Sequence, residues 1–182
     1  MRRILLAAAV VLLVSLACNF SMGKSKGGEI RMDEAGFSAV IPPGYQLSSV
    51  FGELGAVKNG ADALEGPHFS VSVSPSNSKD DANDILDSLS GPNNVFNYTY
   101  SGVRVPVTVG GYPGLAEDFT GVTEENGVEI AGRDVAAVLP DGRQVLVSGN
   151  WPVDQKEEAE QVFQSILNSI KIYEPVPPTA EP

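Results

Sequence analysis

The sequence predicts an α+β domain, with a central, mainly antiparallel sheet between helices in an α/β/α sandwich. Three observations carry this. From Gly111 to Ile172 the chain reads as three strands and one long amphipathic helix, with hairpin signals between the strands. Residues 135–139 (Val-Ala-Ala-Val-Leu) and 145–147 (Val-Leu-Val) are apolar without alternation, as in strands covered on both faces. A second amphipathic helix near residue 80 supplies the other cover.

The first strand of that block, residues 115–122, is closed by Glu124-Glu125-Asn126-Gly127. The second, residues 128–139, is closed by Pro140-Asp141-Gly142-Arg143, and the third covers residues 144–149. Asn-Gly and Asp-Gly accept the positive φ angles that tight hairpins need. The helix then starts at Asp154, which with Glu157 has the spacing of a capping box. Ala159, Val162, Phe163, Ile166, Leu167 and Ile170 step by three and four, which places them on one face. Trp151-Pro152 just before it reads as a buried anchor for the helix start rather than a ligand-stacking platform.

Ahead of this block, residues 37–41 form an opening strand stopped by Pro42-Pro43-Gly44, and residues 45–51 a second short one. Residues 58–67 read as a loop. Phe69, Val71 and Val73 alternate with Ser70, Ser72 and Ser74, the pattern of a strand apolar on one side. Residues 78–89 form a helix with Ala82, Ile85, Leu86 and Leu89 on one face. Asp80, Asp81, Asp84 and Asp87 crowd its first turns, where the helix dipole favours negative charge. Residues 95–101 and 103–109 are strand-like, and Pro106 restricts the latter to an edge or a bulge.

The ends of the chain carry its address. Met1-Arg2-Arg3 and the uncharged run 4–17 have the form of a secretory signal, too short at ~1.5 Å per residue to span a ~30 Å bilayer core. The run ends in Ser15-Leu16-Ala17-Cys18, which resembles a bacterial lipobox. Cys18 is the only cysteine, so a disulfide role is closed to it and an acyl acceptor is the preferred reading. Diacylglyceryl and acyl chains there anchor stably, at ~0.8 kcal/mol per buried methylene. The expected layout is a signal peptide at 1–17, a lipid-anchored flexible tether at 18–34, one domain at 35–173 and a disordered proline-rich tail at 174–182. Lys24 and Lys26 in the tether add at most ~1 kcal/mol each against anionic headgroups.

With the elements in place, the order resembles a known family. The Phe37–Ile41 strand running into Pro42-Pro43-Gly44-Tyr45, the Gly111-Tyr112-Pro113-Gly114-Leu115 approach to the meander, and the closing helix ending Ser165-Ile166-Leu167-Asn168-Ser169-Ile170 are similar to PsbP-like proteins, the PsbP/Mog-type group with lipid-anchored bacterial members. The resemblance spans about residues 35–172 and implies an α/β/α sandwich. No binding or metal-holding residue of that family has a match here, so it supplies no site.

Composition excludes several classes of function. Removing residues 1–17 takes away Arg2 and Arg3 and no acid, leaving 10 basic against 23 acidic residues, a formal charge of −13. Nucleic acid and anionic surfaces repel such a chain. His68 is the only histidine and follows Gly66-Pro67 at a strand start, where a surface position is expected. No Gly-x-Ser-x-Gly elbow occurs, and clustered His and Cys for a transition metal are absent. Asp80, Asp84 and Asp87 share a helical face, yet three carboxylates fall short of the six to eight oxygens calcium takes. Glu117 and Asp118 are adjacent in a strand, so they point to opposite faces and cannot converge on one atom as an acid/base pair. Phe96, Tyr98 and Tyr100 share one strand face. If Val95 and Thr99 face inward the rings form an outward stripe, and in the other register they are core, the slightly favoured reading. Asn97-Tyr98-Thr99 matches a glycosylation sequon that a bacterial lipoprotein signal makes moot.

The expectation is an extracytoplasmic lipoprotein on the cell membrane, a non-catalytic binding or assembly module. A protein partner is possible and no cofactor, metal or catalytic residue is expected. The alternatives are a small-ligand carrier with a pocket between sheet and helix, and a hydrolytic enzyme.

Overall fold

The computed structural model describes residues 27–50, 53–61, 66–75, 80–90, 98–123 and 127–176. In chain order the strands are β1 (Gly28–Met32), β2 (Phe37–Ile41), β3 (Tyr45–Val50), β4 (Glu53–Lys58) and β5 (His68–Pro75). They are followed by helix α1 (Ala82–Ser90), β6 (Thr99–Val109), β7 (Tyr112–Val122), β8 (Glu129–Val138), β9 (Arg143–Pro152), helix α2 (Lys156–Ser169) and β10 (Lys171–Ile172).

Seven strands form one antiparallel sheet in the order β3-β4-β5-β9-β8-β7-β6, and β1-β2-β10 form a small second sheet. The expected meander is present, and β6 extends it to four strands. Its hairpins close as the turn residues dictate. Leu139 N–H donates to Arg143 at 2.8 Å with Gly142 at φ +87°, and Gly127 at φ +69° donates to the Thr123 carbonyl at 2.9 Å.

Strand alternation sorts the large sheet into two faces. On one, the register partners Ala116, Val135, Val147 and Val71 run across four strands, all buried. Here lies the main core, closed by Ala159, Phe163, Ile166 and Leu167 of α2 and by Phe37, Ala39 and Ile41 of β2. Gly149 makes the close approach possible, since a Cβ there would lie 2.5 Å from the Phe163 ring and 2.9 Å from that of Trp151. On the other face, under α1, the matching row is Glu117, Asp134, Ser148 and Ser70. Residues 135–137 are buried because both faces are covered there, as their lack of alternation requires.

Several expectations are corrected. The opening strand β2 belongs to the small sheet rather than the central one. Part of the stretch assigned to the tether is β1, paired with β2 from Gly28↔Ile41 to Met32↔Phe37. Glycine-rich flanks hid it, because Ile30 and Met32 reach the core only once β2 supplies the ladder. Residues 53–58 form β4, where no strand was expected. Residues 95–101 and 103–109 have the pattern of two separate strands, yet Thr99–Val109 is a single strand, β6, interrupted by a bulge between Tyr100 and Arg104. The capping-box spacing of Asp154 and Glu157 is not used: Val153–Gln155 make a 3-10 turn, and Gln155 caps α2 without a side-chain hydrogen bond. The capping box is instead at α1. Asp81 accepts from the backbone N–H of Asn83 and Asp84, and Asp84 accepts from that of Asp81 at 2.9 Å. The tail begins ordered, with Tyr173 N–H on Gly36 and Val176 N–H on Asp33, both at 2.8 Å. Residues 177–182 lie outside the described residues.

Candidate functional site

Cys18, the signal segment, Lys24, Lys26, Phe96 and Asn97 all lie outside the described residues. His68 opens β5 half-buried rather than at the surface, with its Nδ1 3.3 Å from the Asn150 side-chain oxygen. Burial holds its pKa below the ordinary histidine value, against the upward pull of that hydrogen bond. Trp151 is 2% exposed among Phe69 and Phe163, as an anchor should be.

The acidic helix does not gather its carboxylates. Asp81 and Asp84 cap α1, Asp80 accepts from the Gln144 amide at 3.3 Å, and Asp87 reaches Arg104 at 2.5 Å. Among the described residues no group of His, Cys, Asp and Glu is placed to hold a metal ion. Glu117 and Asp118 point to opposite faces as expected. Glu117 is 3% exposed under α1, while Asp118 pairs with Arg133 on the other side.

The cluster that does form joins residues far apart in sequence. β6 carries a bulge between Tyr100 and Arg104, where three residues of β6 oppose Asp118 alone. Gly102 takes φ +69° within it, and its N–H donates to Glu117 Oε1 at 2.9 Å. The bulge sets Arg104 so that its Nε donates to Glu117 Oε2 at 2.9 Å. The remaining guanidinium nitrogens reach Asn83 and Asp87 of α1, and these bonds, led by Glu117, raise the Arg104 pKa. Directly across from Glu117, Asp134 is 4% exposed and accepts from the Tyr100 hydroxyl at 2.6 Å and from the Ser148 hydroxyl. Burial raises the Asp134 pKa, the two hydroxyl bonds oppose this, and the Glu117 charge adds to it. Tyr100 is in turn pushed far up, first by burial and then by the carboxylate it serves.

Tyr98 lies flat on Phe119 with centroids 4.5 Å apart, and Tyr100 tilts against the same ring at 5.3 Å. Glycine makes this possible: a Cβ on Gly132 would lie 2.2 Å from the Phe119 ring, and one on Gly121 2.7 Å from the Tyr98 ring. The two tyrosines are thus neither core nor outward stripe. They form the half-buried wall of a cleft of about 730 Å³, with Arg104 and Glu117 at its floor and Asp87 and Ser90 of α1 on the far side. Asp134 is the residue missed in the sequence. Only the register of β7 against β8 makes it the partner of Glu117, although two acids seventeen residues apart around a hairpin are a visible hint.

Two buried carboxylates in different environments are the first requirement of an acid/base pair. The second, room for a reacting atom within hydrogen-bond reach of both, is not met. Tyr100 seals Asp134, and both oxygens of Glu117 are taken by Gly102 and Arg104. The arrangement holds α1 on the sheet and shapes a polar, aromatic-walled cleft.

A seven-stranded antiparallel sheet with a helix on each face, and a small sheet beside the second helix, matches several solved structures. The chain has the PsbP-like fold. The PsbP-like structures it resembles include LpqN of Mycobacterium tuberculosis, described as involved in cell envelope biogenesis (TM-score 0.60, 16% identity, 81% of this chain and 91% of that one). Cyanobacterial PsbP of Synechocystis matches at TM-score 0.59 with 12% identity over 84% of this chain and 96% of that one. The Ran-binding protein Mog1p of Saccharomyces cerevisiae matches at TM-score 0.54 with 12% identity over the same shares. No protein-family model and no curated protein sequence matches. At these identities the likeness establishes the PsbP-like fold and leaves function to the site. No helix among the described residues is long and apolar enough to cross a membrane.

Proposed function

We propose that this protein is a lipid-anchored, extracytoplasmic, non-catalytic binding or assembly module. Cys18 is the acyl acceptor, a short tether leads to β1, and the PsbP-like domain presents its surface to a protein partner. The observation that carries the reading is the state of the buried polar cluster. Glu117, Asp134 and Arg104 are each bonded within the chain, so the domain offers a preformed surface rather than a reacting group. The neighbours described as Ran-binding and as involved in cell envelope biogenesis are consistent with such a module.

The test is Cys18→Ser. It releases the protein from the membrane fraction and abolishes fatty-acid labelling, and native membranes yield a stoichiometric protein partner with the wild type. Membrane retention of the mutant, with no label on the wild type, overturns the anchor. Turnover of generic ester or peptide substrates overturns the non-catalytic reading.

One observation favours a small-ligand carrier as the second reading. Among the described residues, Tyr45 Oη and Trp151 Nε1 are buried donors without a hydrogen-bond partner, both on rings that pack against Phe69 under α2. Burial pushes the Tyr45 pKa up to about 12. Native mass spectrometry decides it, since a carrier retains a small molecule of defined mass.

A further inference from the structure

We infer that the cleft between α1 and β6 is the docking site for a lysine or arginine side chain of a protein partner. The inference rests on the binding-module reading and names the chemistry that the module recognises.

The charge at the cleft is the first ground. Its walls hold Glu117 and Asp87 against Arg104, and Arg104 has its guanidinium spent on Glu117, Asn83 and Asp87. The lining therefore carries one uncompensated negative charge. Asp134 stands directly behind Tyr100. The chain as a whole, at formal charge −11, draws cations toward any such concavity.

Aromatic walls are the second ground. Tyr98 and Tyr100 both line the cleft, and both are held in place from behind by Phe119. Ring faces set beside carboxylates attract a cation through the ring quadrupole as well as through charge. A guanidinium or ammonium group keeps its stem against the rings while its head meets Asp87, whose side chain is 68% exposed. At about 730 Å³ the cleft is within the ~300–1,000 Å³ of ordinary binding clefts.

Shape is the third. The bulge at residues 101–103 interrupts the β6–β7 ladder beside the cleft, and bulges of this kind re-aim side chains next to sites. Pro106, farther along β6, has no N–H to offer an added strand, so side-chain insertion suits this edge better than strand pairing.

The experiment titrates the full chain, in a neutral detergent, with the capped tripeptides Gly-Arg-Gly and Gly-Lys-Gly and with Gly-citrulline-Gly as the uncharged match, following the tyrosine ring NMR signals. Saturable shifts of Tyr98 and Tyr100 with the charged peptides alone are the expected result. Asp87→Asn, which keeps an acceptor for Arg104, weakens that binding about two- to fivefold, the range of an exposed ion pair. Ser90→Lys, on the α1 side of the cleft lining, fills it with a cation from the chain itself and abolishes binding. Equal binding of the citrulline peptide, an unchanged affinity in Ser90→Lys, or shifts that never saturate overturn the inference. Because the titration needs neither membrane nor partner, its failure removes the cleft alone. Failure of the module reading shows in the Cys18→Ser and membrane-capture results.

Discussion

Glu117 and Asp134 sit directly opposite one another on β7 and β8, on the same face and both buried, yet each is stabilised by a different kind of group. Glu117 has a guanidinium and a backbone N–H, whereas Asp134 has two hydroxyls. Like charges placed opposite in a ladder are destabilising, so this pair stands only because Arg104 and the β6 bulge are there.

Removing Arg104 should therefore be costly. Arg104→Met leaves Glu117 buried without its counter-ion, and a loss of ~3–5 kcal/mol is expected in urea unfolding. Arg104→Met combined with Glu117→Gln removes the stranded charge and keeps an acceptor for Gly102. The double variant should be more stable than Arg104→Met alone. If it is less stable, the ion pair is not what fixes the bulge.

Asp134 should leave a signature in the pH dependence of stability. Its folded pKa lies above the unfolded ~3.9, so the native state holds its proton longer. Its contribution is greatest below pH ~4 and is lost as pH rises through that value toward the folded pKa. Asp134→Asn removes this slope, so the stability difference between wild type and variant should fall as pH rises from ~4. A difference that grows with pH would contradict the burial of the charge.

His68 acts in the opposite direction. Its folded pKa lies below the unfolded ~6.5, so the unfolded chain takes up a proton first as the solution is acidified. Stability should fall as pH drops below ~6.5 and level off below the folded pKa, at ~1.4 kcal/mol per unit of separation between the two. His68→Gln can still bond Asn150 and should flatten that window, as thermal melts between pH 5 and 8 would show.

The helical face of α2 gives a further check. Phe163 is buried against Phe69, Trp151 and Gly149, and Phe163→Ala should cost ~3–5 kcal/mol. Gln164 is one step round the helix, exposed and bonded to Asn168 at 2.9 Å. Gln164→Ala should stay within ~0.5 kcal/mol. Equal effects at the two positions would mean that the core is elsewhere.

The sequence by itself determined whatever is local in physical terms. Asn126-Gly127 and Asp141-Gly142 specify turns through their own backbone preferences, the α2 face follows from 3.6-residue periodicity, and residues 135–139 announce two-sided burial by failing to alternate. The opposite orientations of Glu117 and Asp118 were readable for the same reason, since a strand alternates whatever surrounds it. The tertiary structure decided what depends on pairing between distant segments. β1 and β10 exist because β2 offers them a ladder, and β4 because it fits between β3 and β5. The start of the tail is ordered because Gly36 and Asp33 accept its N–H groups. The Glu117–Asp134 pairing depends on a register, and the reach of Arg104 depends on a bulge, neither of which is coded in neighbouring residues. Tyr98 and Tyr100 could be read as core or surface because their position depends on Gly121, Gly132 and Phe119. Those three become their neighbours only when β6, β7 and β8 lie side by side.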